Sequence, residues 1–294
     1  MEIIDQFVVT TLRSATPIIL AAMAGLFSVR AGIFNMGIEG LMLAGAFTAV
    51  ATGILTGSII LSLLMAIVVC LLLSAVYWTL IEKYCADPVI TGLGLTATAA
   101  GGAAYLTQVL FGKSGAIQSP VRMPVPVSGV TEGLLALVNQ LSLLTWLLPV
   151  FIFATWAILR RSQFGLRISA VGDYPYGAEA AGINIGRTRL YAMLITGAGS
   201  ALAGSQLAVG DLASFNDNMT NGRGFVALAA ILFGAKWPGY TALAGLFFGF
   251  AEALGVVIQI NADGTIPREF VLMAPFVATI AIVTLSSALS RRKT

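Results

Sequence analysis

The chain has 294 residues, 58% of them hydrophobic and only 10% charged, with a formal net charge of +3 and a mean hydropathy of +0.93. A soluble domain carries about 25% charged residues, so this composition excludes an ordinary soluble enzyme. The small positive charge then reports membrane orientation rather than nucleic-acid binding. There is no histidine, and the two cysteines, Cys70 and Cys85, are scattered. A zinc or haem centre and a structural disulfide are therefore excluded as well, and neither metal nor cofactor is expected.

Apolar runs recur from end to end, at 8–28, 34–52, 58–81, 89–111, 141–159, 190–210, 224–236, 239–258 and 269–289. They predict an all-α, polytopic helical membrane protein of about 8–9 transmembrane helices, some short or broken, in a single transmembrane domain over 1–294. The opening MEIIDQF lacks the basic flank of a cleavable signal, so the first span serves as its own insertion signal. If all segments span, the N-terminus is outside and the C-terminus cytoplasmic. Cytoplasmic loops then hold Arg30, Lys83, Arg160, Arg161, Arg167, Arg187, Arg189, Lys236, Arg291, Arg292 and Lys293, against Lys113, Arg122, Arg223 and Arg268 outside. That asymmetry has the sign of the positive-inside rule. If 34–52 is re-entrant instead, the N-terminus moves inside and one span is lost.

The first span carries Pro17, tolerated as a kink in membrane helices. The stretch Arg30 to Phe47, RAGIFNMGIEGLMLAGAF, then combines Asn35, Glu39 and four glycines between apolar runs. A carboxylate near the bilayer centre costs about 2.5–3.5 kcal/mol and normally faces protein or water. The stretch is either a broken helix beside a pathway or a close-packed seam. Segment 58–81 is plainly lipid-facing, with Tyr77 and Trp78 at its interfacial end, and Asp87-Pro88 reads as an N-cap followed by a first-turn proline. Segment 89–111 bears Gly92, Gly94, Gly101 and Gly102, a small-residue packing seam.

Two outer loops follow, the proline-spaced 112–140 and the polar 211–223. Each either docks a partner, lines an entrance or is a solvated connection. Glu252 lies inside an apolar segment, as a carboxylate either bonded to neighbouring helices or lining a pathway. The short segments 34–52 and 224–236 each precede a long helix, the placement expected of a transporter built on a repeat.

The cytoplasmic loop 160–189 differs in kind, because long loops between membrane helices tend to be functional. It predicts a short helix with Asp173 as N-cap, Pro175 in the first turn, Glu179 within and Gly182 as the stop. Such a helix suits docking into a groove on another protein. Catalytic motifs are missing. Gly112-Lys113-Ser114 has Thr107 where a P-loop needs glycine, and there is no GxSxG elbow.

GIFNMGIEGLMLAGAF, DPVITGLGL, EAAGINIGRTRLYAMLITGAGSALAG, GRGFVALAAILFG and EFVLMAPF, in this order from about residue 8 to 285, resemble the permease subunits of ABC importers of the branched-chain amino acid and ribose type. The nucleoside and simple-sugar branch is nearest. The resemblance implies a non-enzymatic permease in the cell membrane, paired with a second permease as a heterodimer. Cytoplasmic ABC ATPase subunits would drive it, and an extracytoplasmic binding protein or lipoprotein would feed it. It places the coupling helix on Asp173, Glu179, Ala180, Ala181 and Gly182, although the downstream Ile-x-Leu-Pro of the EAA-type loop is missing. The candidate pathway residues are Phe34, Asn35, Glu39, Thr96, Gln108 and Glu252. So few charges favour a neutral nucleoside or polyol as solute. The rival reading is a stand-alone ion-coupled transporter using Glu39 or Glu252.

Overall fold

The computed structural model describes residues 2–113, 115–126 and 141–261. The segment predicted at 269–289, Arg268, the Arg291 to Lys293 tail and most of the 112–140 loop lie outside the described residues. The regular structure of the described residues is helical, apart from one two-stranded ribbon.

Eight of the predicted segments are helices. They are α1 (Glu2–Arg30), α2 (Ile38–Thr56), α3 (Ile59–Tyr84), α4 (Pro88–Phe111), α5 (Leu143–Arg161), α8 (Ile185–Ser205), α9 (Arg223–Phe233) and α10 (Pro238–Asn261). Two short helices, α6 (Gln163–Asp173) and α7 (Pro175–Ala180), precede α8. Helix α8 continues through π-helical turns over Gln206–Leu212. Strands β1 (Ala116–Gln118) and β2 (Ser214–Asn216) pair antiparallel with Ile117 opposite Phe215. Counting the π turns with α8, seven helices among the described residues are long and apolar enough to cross a membrane; α9 is shorter. This is an all-α polytopic membrane protein.

Local chemistry sets the element ends. The Asp87 carboxylate accepts from the N–H groups of Val89 and Ile90 at 2.9 and 3.0 Å, with Pro88 in the first turn. Helices α2 and α4 end on Gly57 (φ 64°) and Gly112 (φ 62°), left-handed caps that glycine adopts without a Cβ penalty. Beyond α1, the N–H groups of Ala31, Gly32 and Ile33 bond back to Phe27, Val29 and Ser28.

Helix α8 is the hub of the core. A Cβ on Gly199 would strike Ala24 of α1, and one on Gly197 would strike Ser74 of α3. Against α2 the approach is reciprocal. Gly45 abuts Ala201, and Gly204 abuts the Met42 carbonyl. Because lipid is as apolar as leucine, close backbone approach through small residues holds such helices together. Cys70 is buried here and donates to the Leu41 carbonyl at 3.2 Å, while Cys85 is exposed; both are free.

Two expectations change. Tyr77 is not interfacial but buried, its hydroxyl donating to the Pro88 carbonyl at 2.6 Å, because α4 turns back across the end of α3. On α4 only Gly92 lies in a seam, against Met36 and Gly37, whereas Gly94, Gly101 and Gly102 face open space. The outer face of α3, with Leu61, Leu64, Val68, Leu72 and Val76, is exposed as a lipid-facing helix requires.

The α2–α8 crossing is testable by adding one methyl group. Gly204→Ala should lower the thermal midpoint of the detergent-purified protein, since overpacking costs about 1–3 kcal/mol. Gly239→Ala, with nothing within 4 Å, should leave it unchanged.

Candidate functional site

Residues 31–37 are the break between α1 and α2. Gly32 sits at φ 84°, left-handed backbone that favours glycine. Asn35 is fully buried. Its Oδ1 accepts from the Gly37 N–H at 2.9 Å, and its Nδ2 reaches the Met193 sulfur at 3.6 Å. An asparagine bonding backbone two residues on is a local substitute for helical hydrogen bonds. It satisfies a donor at the point where α2 must start within the protein.

Glu39 follows in the first turn of α2, with 3% of its surface exposed. Its Oε1 accepts from the Thr220 hydroxyl at 2.6 Å and from the Gly222 N–H at 2.8 Å. Its Oε2 accepts from the Gly224 N–H at 2.6 Å. These donors form the N-terminus of α9, where unpaired N–H groups and the helix dipole both favour a carboxylate. Hydrogen bonds to a charged group contribute about 1.5–3 kcal/mol each, enough to offset an insertion cost of about 2.5–3.5 kcal/mol. Helix α9 has 11 residues, about 16 Å. It ends where the Lys236 carbonyl accepts from Arg30 Nε at 2.9 Å, level with the end of α1. Call this the basal end. Glu39 therefore stands about 16 Å from the basal end, a distance of about half a hydrocarbon core of about 30 Å.

The other pathway candidates are dispersed. Phe34 is half-buried against the core. Thr96 returns its hydroxyl to the Gly92 carbonyl and packs its backbone on Gly40. Gln108 is exposed on α4. Glu252 is ion-paired to Arg223, with Oε1 against Nη2 and Oε2 3.4 Å from Nε. Sequence reading placed Arg223 in an outer loop and missed this pair. A cation opening an apolar segment and a carboxylate inside another were its available signals.

A second polar network also went unread. Gln206, fully buried where α8 turns π-helical, accepts from Ser142 at 2.7 Å and donates to Asp211 at 3.1 Å. Thr16 donates to Thr145, joining α1 to α5. π-helical turns occur often at functional sites.

At the basal end the prediction for Asp173 needs correction. It is not an N-cap but the last residue of α6. Tyr174, at φ −147° and ψ 83°, separates α6 from α7 and supplies no side-chain cap. Helix α6, over Gln163–Asp173, was not predicted, and Pro175 starts the six-residue α7. Asp173 instead lines a cleft of about 200 Å³ with Arg30 and Lys236. Glu179, Ala180 and Ala181 are exposed. Gly182, at φ 78°, closes α7 through its N–H to the Glu179 carbonyl at 2.9 Å. Cavities of about 560 and 430 Å³ flank the 182–184 turn, the first walled by Glu82, Glu179 and Arg189. Arg189 bridges to Glu82 at 3.1 Å and donates to the Ala31 carbonyl at 3.4 Å. Gly172 of α6 lies against Gly32 and the Arg30 carbonyl, with no room for a Cβ.

A multi-span bundle in which the full-length α2 and the half-length α9 start against each other inside the protein, with a basal loop touching the break between α1 and α2, defines a membrane permease. The chain belongs to the family described as branched-chain amino acid transport system, permease component, which matches residues 7–283, and it is a permease subunit of the ABC importer type. It is 34% identical to the guanosine ABC transporter permease protein NupQ of Bacillus subtilis, over 97% of this chain and 92% of that protein. It is 32% identical to the nucleoside ABC transporter permease protein NupC of Lactococcus lactis, over 92% of this chain and 89% of that one. A metal-chelate type ABC transporter, solved in an inward-facing conformation, shares the fold with a TM-score of 0.51 and 15% identity, over 92% of this chain and 85% of that chain.

The Glu39 arrangement predicts an asymmetric response. Glu39→Gln sets an amide NH2 against backbone N–H donors, and should destabilise the purified protein by about 2–3 kcal/mol. Thr220→Val removes one donor and should cost about 1 kcal/mol. Thermal midpoints and protease resistance of the two variants report the difference.

Proposed function

We propose that the chain is one of two permease subunits of an ATP-driven nucleoside importer. Its partners are a second permease in a heterodimer, cytoplasmic ABC ATPases at the basal end, and an external binding protein or lipoprotein at the other. The C-terminus is cytoplasmic. The nucleoside assignment draws on the activities of the two relatives and their match to nearly the whole chain. For a partner at the basal end, the support is Leu166, Tyr174 and Tyr176, large and exposed beside α7; aromatic anchors of this kind carry binding energy at interfaces. The open face of α4, with Gly94 and Gly101, suits close packing by another membrane subunit.

The observation that carries the mechanism is the contact of Gly172 with Gly32 and the Arg30 carbonyl. Closure of the ATPases presses on α7 and α6. That contact and Arg189 pass the displacement to residues 31–37, and so to Glu39 and the start of α9. In this reading Asn35, Glu39 and Glu252 hold the broken segments in place, and Phe34, Thr96 and Gln108 border the pathway. ATP hydrolysis belongs to the partners.

The rival, an ion-coupled transporter, draws on the paired intramembrane charges Arg223 and Glu252. That pair is satisfied within the chain, which leaves no free carboxylate for a coupling ion there.

Proteoliposomes holding the full complex and the binding protein should take up guanosine only with internal ATP. Glu179→Arg, on an exposed surface, and Gly172→Ala should each cut uptake roughly tenfold or more while ATP hydrolysis persists. Uptake by the purified chain alone, driven by a proton or sodium gradient, would establish the rival instead.

A further inference from the structure

The segment between the π turns and α9 lies deeper than its polarity suggests. Phe215 of β2 packs edge-on against Phe47 of α2, and Gly222 bonds to Glu39 of the same helix. These two points on α2 are eight residues apart, about 12 Å, and the lower one is at mid-depth. Residues 215–222 therefore descend through the outer half of the hydrocarbon core without a helix. They do so through three successive turns, in which Met219, Asn221 and Arg223 donate to the carbonyls of Asn216, Asn218 and Thr220 at 3.1, 3.0 and 2.9 Å. Asn218 and Asn221 take left-handed backbone, φ 56° and 46°, where asparagine is enriched.

Phe215, Met219 and Thr220 are buried and fasten the segment to the bundle. The side chains of Asn216, Asp217, Asn218 and Asn221 are exposed, and among the described residues none of them makes a hydrogen bond. Irregular backbone and polar side chains at this depth are tolerated only where protein covers them or water lines them.

We propose that residues 216–221 are the solute-contact segment of the translocation pathway, built for an uncharged nucleoside. This rests on the nucleoside reading above. Each carboxamide presents a donor pair and an acceptor together, the combination that reads the edge of a nucleobase. A carboxylate such as Asp217 accepts from ribose hydroxyls. Arg223, the neighbouring cation, is engaged by Glu252 and the Met219 carbonyl. The segment thus offers a carboxylate and no free guanidinium, which selects nucleosides over their phosphates.

The test uses the assembled importer in proteoliposomes, with Asp217→Cys in a Cys85→Ser background; Cys70 is buried and stays. A membrane-impermeant thiol reagent should label the new cysteine. Guanosine at about ten times its Kd should slow labelling about tenfold, and guanosine monophosphate should not. Asn218→Gly and Asn221→Gly keep the left-handed backbone and remove the amide. Each should raise the KM for guanosine uptake roughly five- to tenfold. Absence of labelling, labelling that no solute slows, or an unchanged KM in both glycine variants overturns the assignment. Labelling slowed by a neutral sugar but not by guanosine keeps the segment in the pathway and removes the nucleoside reading.

Discussion

Everything at mid-depth depends on one carboxylate shared by two helix starts. Helix α2 begins at Ile38 and runs away from the basal end; α9 begins at Arg223 and runs toward it. Their N-termini meet inside the protein, where water cannot satisfy the free N–H groups of either. Two positive dipole ends brought together in a low-dielectric interior would repel. Glu39 belongs to the first turn of α2 and accepts from Gly222 and Gly224 of α9, so a single negative group serves both ends. Asn35 supplies the remaining local acceptor, for the Gly37 N–H. Without this arrangement neither α2 nor the shorter α9 has a reason to start inside the bundle.

The same constraint explains where the small residues lie. A helix that starts inside the bundle must bury all sides, and α2 is buried along most of its length. Gly40 and Gly92 bring α4 onto its lower half, and Gly45 and Gly204 bring α8 onto its middle. Gly224 lets the first turn of α9 lie directly on the Glu39 backbone. By contrast α3 contributes mainly one face, and its exposed leucines and valines meet lipid.

Much of this was legible in the chain and some was not, for identifiable reasons. Apolar run length marks spans directly, so eight segments emerged close to their observed bounds. Asp87-Pro88 also read correctly, because a cap depends only on residues two or three positions away. The partners of Glu39 are more than 180 residues distant, and no local pattern announces them. The Arg223–Glu252 pair hid in the same way, since the cation read as a loop charge. Asp173 misled because a capping residue before a proline is locally persuasive, yet α6 propagates through it until the Tyr174 backbone turns aside. Glycine alone does not say whether its open side meets another segment of this chain, as Gly92 meets Met36 and Gly37, or faces outward, as Gly101 does.

The break in α1–α2 is also the place where basal and mid-depth structure are physically continuous. Gly172 and Arg189 approach the chain at residues 30–32, and seven residues later Glu39 holds the start of α9. Beyond Ile33, residues 34–37 carry no helical ladder to absorb a displacement, and their turn at Asn35 is pinned by buried contacts. A shift of α6 therefore has few soft dihedrals in which to dissipate before it reaches Glu39. Beyond Glu39 lies the segment 215–222, held to the bundle by Phe215, Met219 and Thr220 and otherwise free of side-chain bonds among the described residues. Packed cores move between discrete arrangements rather than deforming continuously. A permease driven from its basal face gains from this design, because the rigid part of the route ends where the polar part of the proposed pathway begins.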